Sequence, residues 1–319
     1  MYSVKYLYLV QKSEIEKMKK KVLIIGGAGF IGSNLSRHLL EHNMEVYCFD
    51  MSKPEHPIPG VNYICGDFFD DYILQNALEN MDYVVHALST VNPGNSNEKY
   101  LQGYERDFIQ TIKLCKMIID QKIRMIFLSS GGTVYGNQRI QPIVEEALPA
   151  PINHYGNVKL CIENTIRTFN YQAHTKILIA RISNPYGPGQ DFNKGVGFID
   201  AALKKSIRKE KIEIWGDGNN VRDYIYIDDV CRMLISLFEY QGEYDTFNIS
   251  SNTGTSQRDV IRMLEEMQLA PQVEYLPARS VDAKKIILNN DRIMNIHEVP
   301  LVPIRQGISM YYEWLQKEA

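Results

Sequence analysis

The chain has 319 residues, 45% of them apolar and 23% charged, with 35 basic against 38 acidic side chains and a net charge of −3. That balance gives no net pull toward a polyanion, and the longest basic run, Lys17 to Lys21 interrupted by Met18, is too short for a nucleic-acid-binding arm. No apolar stretch reaches the roughly 18 to 20 residues of a membrane-spanning helix, and the five cysteines (Cys48, Cys65, Cys115, Cys161, Cys231) are odd in number, far apart and never paired as Cys-x-x-Cys, which argues against a disulfide framework or a zinc site and predicts a reducing, cytoplasmic setting.

Residues 1–20 mix Tyr, Leu and Val with charges and lack the apolar core and small-residue cleavage site of a signal peptide. They are expected to be an N-terminal extension, with Met18 as the natural start. From Lys21 the pattern is regular. Val22–Ile25 is a continuous apolar run, followed by a glycine cluster and a helical pattern through Ile31, Leu35, Leu39 and Leu40. Val46–Phe49, Tyr83–Val85, Met125–Leu128 and Ile177–Ala180 repeat the strand signal, and helices are predicted near 70–80, 100–121 and 155–171. Strands that alternate with helices predict an α/β fold, a Rossmann-type doubly wound parallel sheet over 21–185. Beyond Tyr186 Pro and Gly cluster at 185–197 and the alternation breaks; helices are predicted near 198–208 and 305–317. Residues 186–319 read as a smaller C-terminal substrate-binding lobe, free to exchange segments with the first.

Gly26-Gly-Ala-Gly29-Phe-Ile-Gly32 directly follows the first strand and opens the first helix, where a dinucleotide-binding turn belongs. One glycine permits the tight turn, a second lets backbone N–H groups approach a pyrophosphate, and a third lets helix pack on strand; the helix N-terminus adds partial positive charge. Asp50 ends the second strand, 24 residues after Gly26. A carboxylate there accepts bonds from ribose hydroxyls and repels a 2′-phosphate, so the predicted cofactor is NAD rather than NADP.

Tyr155-Gly-Asn-Val-Lys159 places two ionisable groups one helical turn apart. The spacing alone is common: Tyr8-x-x-x-Lys12 repeats it in the extension. Position separates the two, because Tyr155 follows a strand and a hydroxyl-rich segment, Ser129-Ser-Gly-Gly-Thr133, at the ligand-binding end of the sheet. A tyrosine with a pKa of about 10 is phenolate in only about one molecule in a thousand at pH 7. An ammonium about 4 Å away at an effective dielectric near 20 is worth about 4 kcal/mol. Lys159 is therefore expected to lower the Tyr155 pKa toward neutrality, aided by an oxidised nicotinamide, and to make Tyr155 a general base for an alcohol proton.

Together these residues resemble the extended short-chain dehydrogenase/reductase superfamily, and within it the nucleotide-sugar epimerases and dehydratases typified by UDP-glucose 4-epimerase. Further similar stretches are Cys65-Gly-Asp67-Phe68, Val85-His-Ala-Leu88, Arg181-Ile-Ser-Asn184-Pro-Tyr-Gly-Pro-Gly189, Arg222-Asp-Tyr-Ile-Tyr226 and Arg279-Ser-Val-Asp282. The resemblance implies that Phe30 and Ile31 meet the cofactor phosphates, Asp67 and Phe68 the adenine, and Ala87 and Leu88 the central cofactor wall. It implies that Asn184, Trp215, Arg222, Arg279 and Asp282 hold a nucleotide-diphosphate sugar, with Ile286 near the hexose. It also implies an NAD-dependent 4-epimerase working as a homodimer through the Tyr155 helix and its neighbour. A decarboxylase, a 4-keto reductase, or an inactive dinucleotide-binding regulator on the same scaffold are the alternatives.

Three positions depart from that pattern. Where the epimerases usually carry a hydroxyl two places before Thr133 the chain has Gly131, so Thr133, Ser130 or water must steady the sugar's 4-oxygen. Gly132 and Thr133 replace the acid pair of the dehydratases, which argues against dehydration. Asp107 stands where relatives commonly have asparagine.

Overall fold

The computed structural model describes residues 19–191, 193, 197–277 and 283–318. The strands in chain order begin with β1 (Lys21–Ile25), β2 (Glu45–Asp50), β3 (Val61–Cys65), β4 (Tyr83–His86), β5 (Arg124–Ser130) and β6 (Leu178–Ile182). Then come the short β7 (Asn184–Tyr186), β8 (Lys211–Trp215), β9 (Val221–Tyr226) and β10 (Thr246–Ile249). Seven of them form one sheet in the order β10-β6-β5-β4-β1-β2-β3, every neighbouring pair parallel. The order reverses between β1 and β4, and a cleft opens there at the carboxyl ends of the strands.

Alternation along β1 explains why both faces must be covered. Leu23 and Ile25 point into one core with Leu114, Ile118, Ile162 and Ile166, while Val22 and Ile24 point into another with Leu35, Leu39, Val230 and Leu234. Each of these fully buried side chains contributes roughly 1.5–3 kcal/mol. The first core is closed by α3 (Ile109–Gln121) and α4 (His154–Ala173), which follow α1 (Phe30–Glu41) and α2 (Asp71–Ala77) in the chain. The second is closed by α1 and, beyond α5 (Phe198–Ile207), by α6 (Ile227–Ser236).

Residues 227–249 thus return to the central sheet: α6 covers one face and β10 pairs with β6 at the edge, Phe247 opposite Ala180. The sheet does not end at residue 185. The rest of the C-terminal half builds its own core of Ile199, Leu203, Ile212, Ile214, Val260 and Tyr311. Here α5 packs on β8, α8 (Ile304–Glu318) packs on β9, and α7 (Gln257–Glu266) packs on α5. Helix starts are set locally. Asp70 accepts from the Tyr72 and Ile73 amides before α2, Ser256 and Asp259 form a capping box at α7, and Asn153 accepts from the Gly156 amide at α4 (2.8 Å). No helix among the described residues is long and apolar enough to cross a membrane.

Candidate active site

The glycine turn is built by close approach. Gly26 has φ of 82°, and a Cβ there would lie 2.9 Å from the Leu88 nitrogen. At Gly32 a Cβ would stand 2.6 Å from the Gly26 carbonyl oxygen and 2.8 Å from the Gly27 Cα, so α1 reaches the turn only with glycine there. Gly29 precedes α1 without any side-chain cap, and the first turn holds no acidic residue. The leading amides at Phe30 and Ile31 are thus left for an anion. These five residues line a cavity of about 610 Å³. We expect Gly32→Ala to lower thermal stability by about 1–3 kcal/mol of overpacking and to empty the cradle, read as protein-bound dinucleotide after gel filtration.

A second hollow of about 400 Å³ continues from the first past Gly26, Gly29 and Ala87, with Asp50, Asp67, Phe68 and Leu88 in its wall. Asp50 Oδ2 accepts from the Ala28 amide (3.1 Å) and Oδ1 from the Met51 amide (2.9 Å). Each oxygen keeps lone-pair capacity for a diol. Phe68 is buried against His86, ring centroids 5.2 Å apart, and burial pushes the His86 imidazole down to about 3, which keeps it neutral.

Tyr155 reaches the larger cavity from the first turn of α4, half-buried. Its neighbour Gly156 explains how: a Cβ there would lie 2.7 Å from the Thr133 carbonyl oxygen, so the missing side chain lets the helical turn Gly131–Val134 lie against α4. That turn presents Ser130 and Thr133, three residues apart, to the same cavity. Gly131 faces elsewhere. A Cβ on it would meet Leu288 Cδ1 at 2.3 Å and the Arg181 carbonyl at 3.1 Å. The hydroxyls of this turn that face the cavity are therefore Ser130 and Thr133. Lys159 is buried beneath the floor, its Nζ donating to the Leu128 carbonyl (3.1 Å) and lying 5.6 Å from the Tyr155 ring centroid.

Asn184, Trp215 and Arg222 line the far side of the cavity. Asn184 Nδ2 donates to the Asp223 carbonyl (3.0 Å) and Arg222 Nη1 to the Val221 carbonyl (2.9 Å). The Asp223 carboxylate is fully buried and accepts from the Ser251 amide and hydroxyl, the Ser183 hydroxyl and the Leu288 amide. Burial raises it to about 6 against those bonds. Ile286 lines the same cavity. Arg279, Asp282 and the N-terminal extension through residue 18 lie outside the described residues.

A family model described as the NAD dependent epimerase/dehydratase family matches residues 22–250. The chain belongs to that family. It is similar to a putative UDP-glucose 4-epimerase of Methanocaldococcus jannaschii, 26% identical over an alignment of 301 positions that covers 92% of this chain and 98% of the relative. It is 28% identical to a dTDP-4-dehydro-6-deoxyglucose reductase of Escherichia coli over 92% of this chain and 97% of that one. The crystal structure of UDP-glucose 4-epimerase from Thermotoga maritima with UDP-glucose superposes with a TM-score of 0.88 at 28% identity, covering 93% of this chain and 99% of that one. The α/β Rossmann-type sheet expected from the strand pattern is the fold found, and NAD is the family's cofactor. The uncapped α1 amides, the Gly26–Leu88 approach and the Asp50 carboxylate fit such a dinucleotide.

One sequence expectation for this epimerase-family site is corrected. The protein's own groups do not acidify Tyr155: burial raises the phenol pKa, and the Asp107 carboxylate raises it further. Lys159 is itself brought down to about 8 by burial, opposed by Asp107 and Glu163.

Asp107 also has a structural role that the sequence left open. It accepts from the Ser89 hydroxyl (2.6 Å) and from the Thr90 amide (2.9 Å to each oxygen), which pins the segment after β4 that carries Ala87 and Leu88. Sequence reading missed Asn153 and Gly156 as the residues that aim Tyr155. A helix-capping asparagine two places before it was the available signal for the first. It also missed Ile152, Gln190 and Tyr224 in the cavity wall, for which the sequence carries none.

Proposed function

We propose that this chain is an NAD-dependent 4-epimerase of a nucleotide-diphosphate sugar, a UDP-hexose first, with the N-acetylhexosamine and uronate forms as variants. The observation that carries this reading is the convergence of Tyr155, Ser130 and Thr133 with Asn184, Trp215 and Arg222 on one cavity that opens into the glycine cradle. Bound NAD supplies a carrier that accepts two electrons from C4 and returns them.

The chain's own residues do the rest. Tyr155 takes the proton of the 4-hydroxyl and gives it back to the 4-keto sugar after that sugar has turned about its diphosphate. Lys159 contributes positive charge below Tyr155 and reaches toward the nicotinamide ribose. Ser130 or Thr133 hydrogen-bonds the 4-oxygen. Arg222, joined by Arg279, holds the diphosphate, Trp215 covers the base, and Asn184 and Asp282 bind the sugar nucleotide. Gly26, Gly29, Phe30, Ile31 and Gly32 hold the cofactor phosphates, Asp50 its adenosine ribose, Asp67 and Phe68 the adenine, and Ala87 and Leu88 its centre. Ala87, Pro93, Ile152 and Ile286 are apolar parts of the wall, and Arg222 is the cation that lines it among the described residues.

A homodimer through α3 and α4 belongs to the same reading. Ile109 at the start of α3 and Leu101 in the helical turn Tyr100–Gln102 ahead of it are exposed apolar side chains, and so is Tyr171 on α4. The five cysteines are free, which suits a reducing cytoplasm.

The 28% identical reductase keeps a 4-keto reductase as the second reading, although Asp50 opposes NADPH. Incubating the purified protein with a panel of UDP- and dTDP-sugars without added reductant, with products resolved by anion exchange, tests the choice. Conversion in both directions at constant cofactor absorbance is expected. Stoichiometric cofactor consumption would assign a reductase, and loss of carbon dioxide a decarboxylase. No turnover of any sugar by protein that holds NAD would leave a regulatory dinucleotide-binding chain.

A further inference from the structure

Arg106 lines the second hollow together with Asp50 and Asp67. Residues Gly103–Phe108 adopt π-helical geometry, which widens the turn and changes the faces that successive side chains present. Asp107 is consequently buried and tied to Ser89 and Thr90, while the adjacent Arg106 lines the hollow from outside. Its guanidinium carbon lies 3.8 Å from the centroid of the Phe69 ring. Among the described residues no carboxylate pairs with Arg106 and no acceptor takes its N–H groups, whereas Asp67, the nearest acid of the wall in sequence to Phe69, is engaged by the Phe69 amide (3.0 Å).

An exposed arginine is ordinarily a mobile, hydrated group. This one has its guanidinium carbon over an aromatic ring at 3.8 Å, with its donors unengaged among the described residues. A planar cation of this kind matches a flat, electron-rich heterocycle with ring-nitrogen acceptors. It sits where the Rossmann fold places the adenosine half of NAD, beside the strand ends that carry Asp50 and Asp67.

We propose that Arg106 closes over the adenine of bound NAD, so that the guanidinium lies between the Phe69 ring and the base and slows release of the cofactor. The proposal rests on the family's NAD dependence and not on the identity of the sugar. A negative sugar panel therefore leaves it standing, and a parent protein that retains no NAD overturns it.

The test is the rate at which the NAD-loaded protein loses cofactor during dialysis against NAD-free buffer, with retained NAD measured after extraction. Arg106 is exposed, so its variants are expected to fold. Arg106→Ala is expected to release NAD about tenfold faster than the parent, in line with a stacked cation contact. Arg106→Lys keeps the charge but loses the plane, and is expected to release it nearly as fast. Parent-like retention by Arg106→Ala, or full rescue by Arg106→Lys, overturns the proposal. Added NADP is expected to displace NAD equally poorly from parent and Arg106→Ala. If NADP competes well with the parent and fails only with Arg106→Ala, the guanidinium serves a 2′-phosphate and the stacked arrangement is wrong.

Discussion

Tyr155→Phe is expected to reduce sugar interconversion by about 10²- to 10⁴-fold, the usual worth of a positioned general acid–base group, while NAD stays bound. The substitution removes one oxygen and leaves the ring in place near Lys159, whose ammonium lies 5.6 Å from its centroid. The cradle at Gly26, Gly29 and Gly32 is built from backbone at the other end of the cavity and is untouched. Activity on the panel and NAD content after gel filtration are therefore read on the same preparation. Loss of both would mean that the variant has disturbed the fold. Retained activity would remove Tyr155 from its role and move the proton to Ser130, Thr133 or water. Because the variant lacks the oxygen that exchanges the proton in either ionisation state, the loss is expected at every pH at which the parent works.

Arg181→Met is expected to destabilise the protein by about 3 kcal/mol, the lower end of the range for breaking a buried ion pair from one side. Arg181 and Glu163 are both fully buried, joined through Nε (3.1 and 3.2 Å) and Nη2 (2.6 Å). Glu163 also accepts from the Ser129 hydroxyl (2.6 Å) and from Arg167 Nη2 (3.1 Å), and these contacts keep the loss from reaching the upper end. The double variant Arg181→Met/Glu163→Met is expected to recover a large part of the loss, because it leaves no buried charge behind. Thermal unfolding of the single and double variants measures this. Equal midpoints would mean that the damage is lost packing over the Tyr135 ring, 4.7 Å from the guanidinium, rather than an orphaned carboxylate. The pair also bears on the site, since Glu163 lies one turn beyond Lys159 and Ser129 precedes Ser130.

Much of the site was legible in the sequence because its parts are local. The strand, the glycine turn and the helix after it follow one another in the chain from Lys21 to Glu41, and the constraints among Gly26, Gly27 and Gly32 are steric ones that act within that span. Tyr155 and Lys159 share one helix. The two carboxylates show where locality fails. Asp50 could be placed at a strand end by counting, but Asp107 could not be given a role, because its partners Ser89 and Thr90 lie on another segment. Gly131 is a second case. Its departure from the family pattern raised doubt about the third hydroxyl, and only packing against Leu288 and the Arg181 backbone reveals that a side chain there would not face the cavity.

By itself the sequence determined the alternation of strand and helix, the glycine turn, the strand-end position of Asp50 and the placing of Tyr155 and Lys159 one turn apart on a helix. Each follows from period, chirality or local sterics. The tertiary structure alone decided that β10 closes the edge beside β6, that Gly156 brings Thr133 against the Tyr155 helix, and that burial opposes the ionisation of Tyr155. Those outcomes depend on which distant segments exclude water from which charges, and chain spacing carries no measure of that.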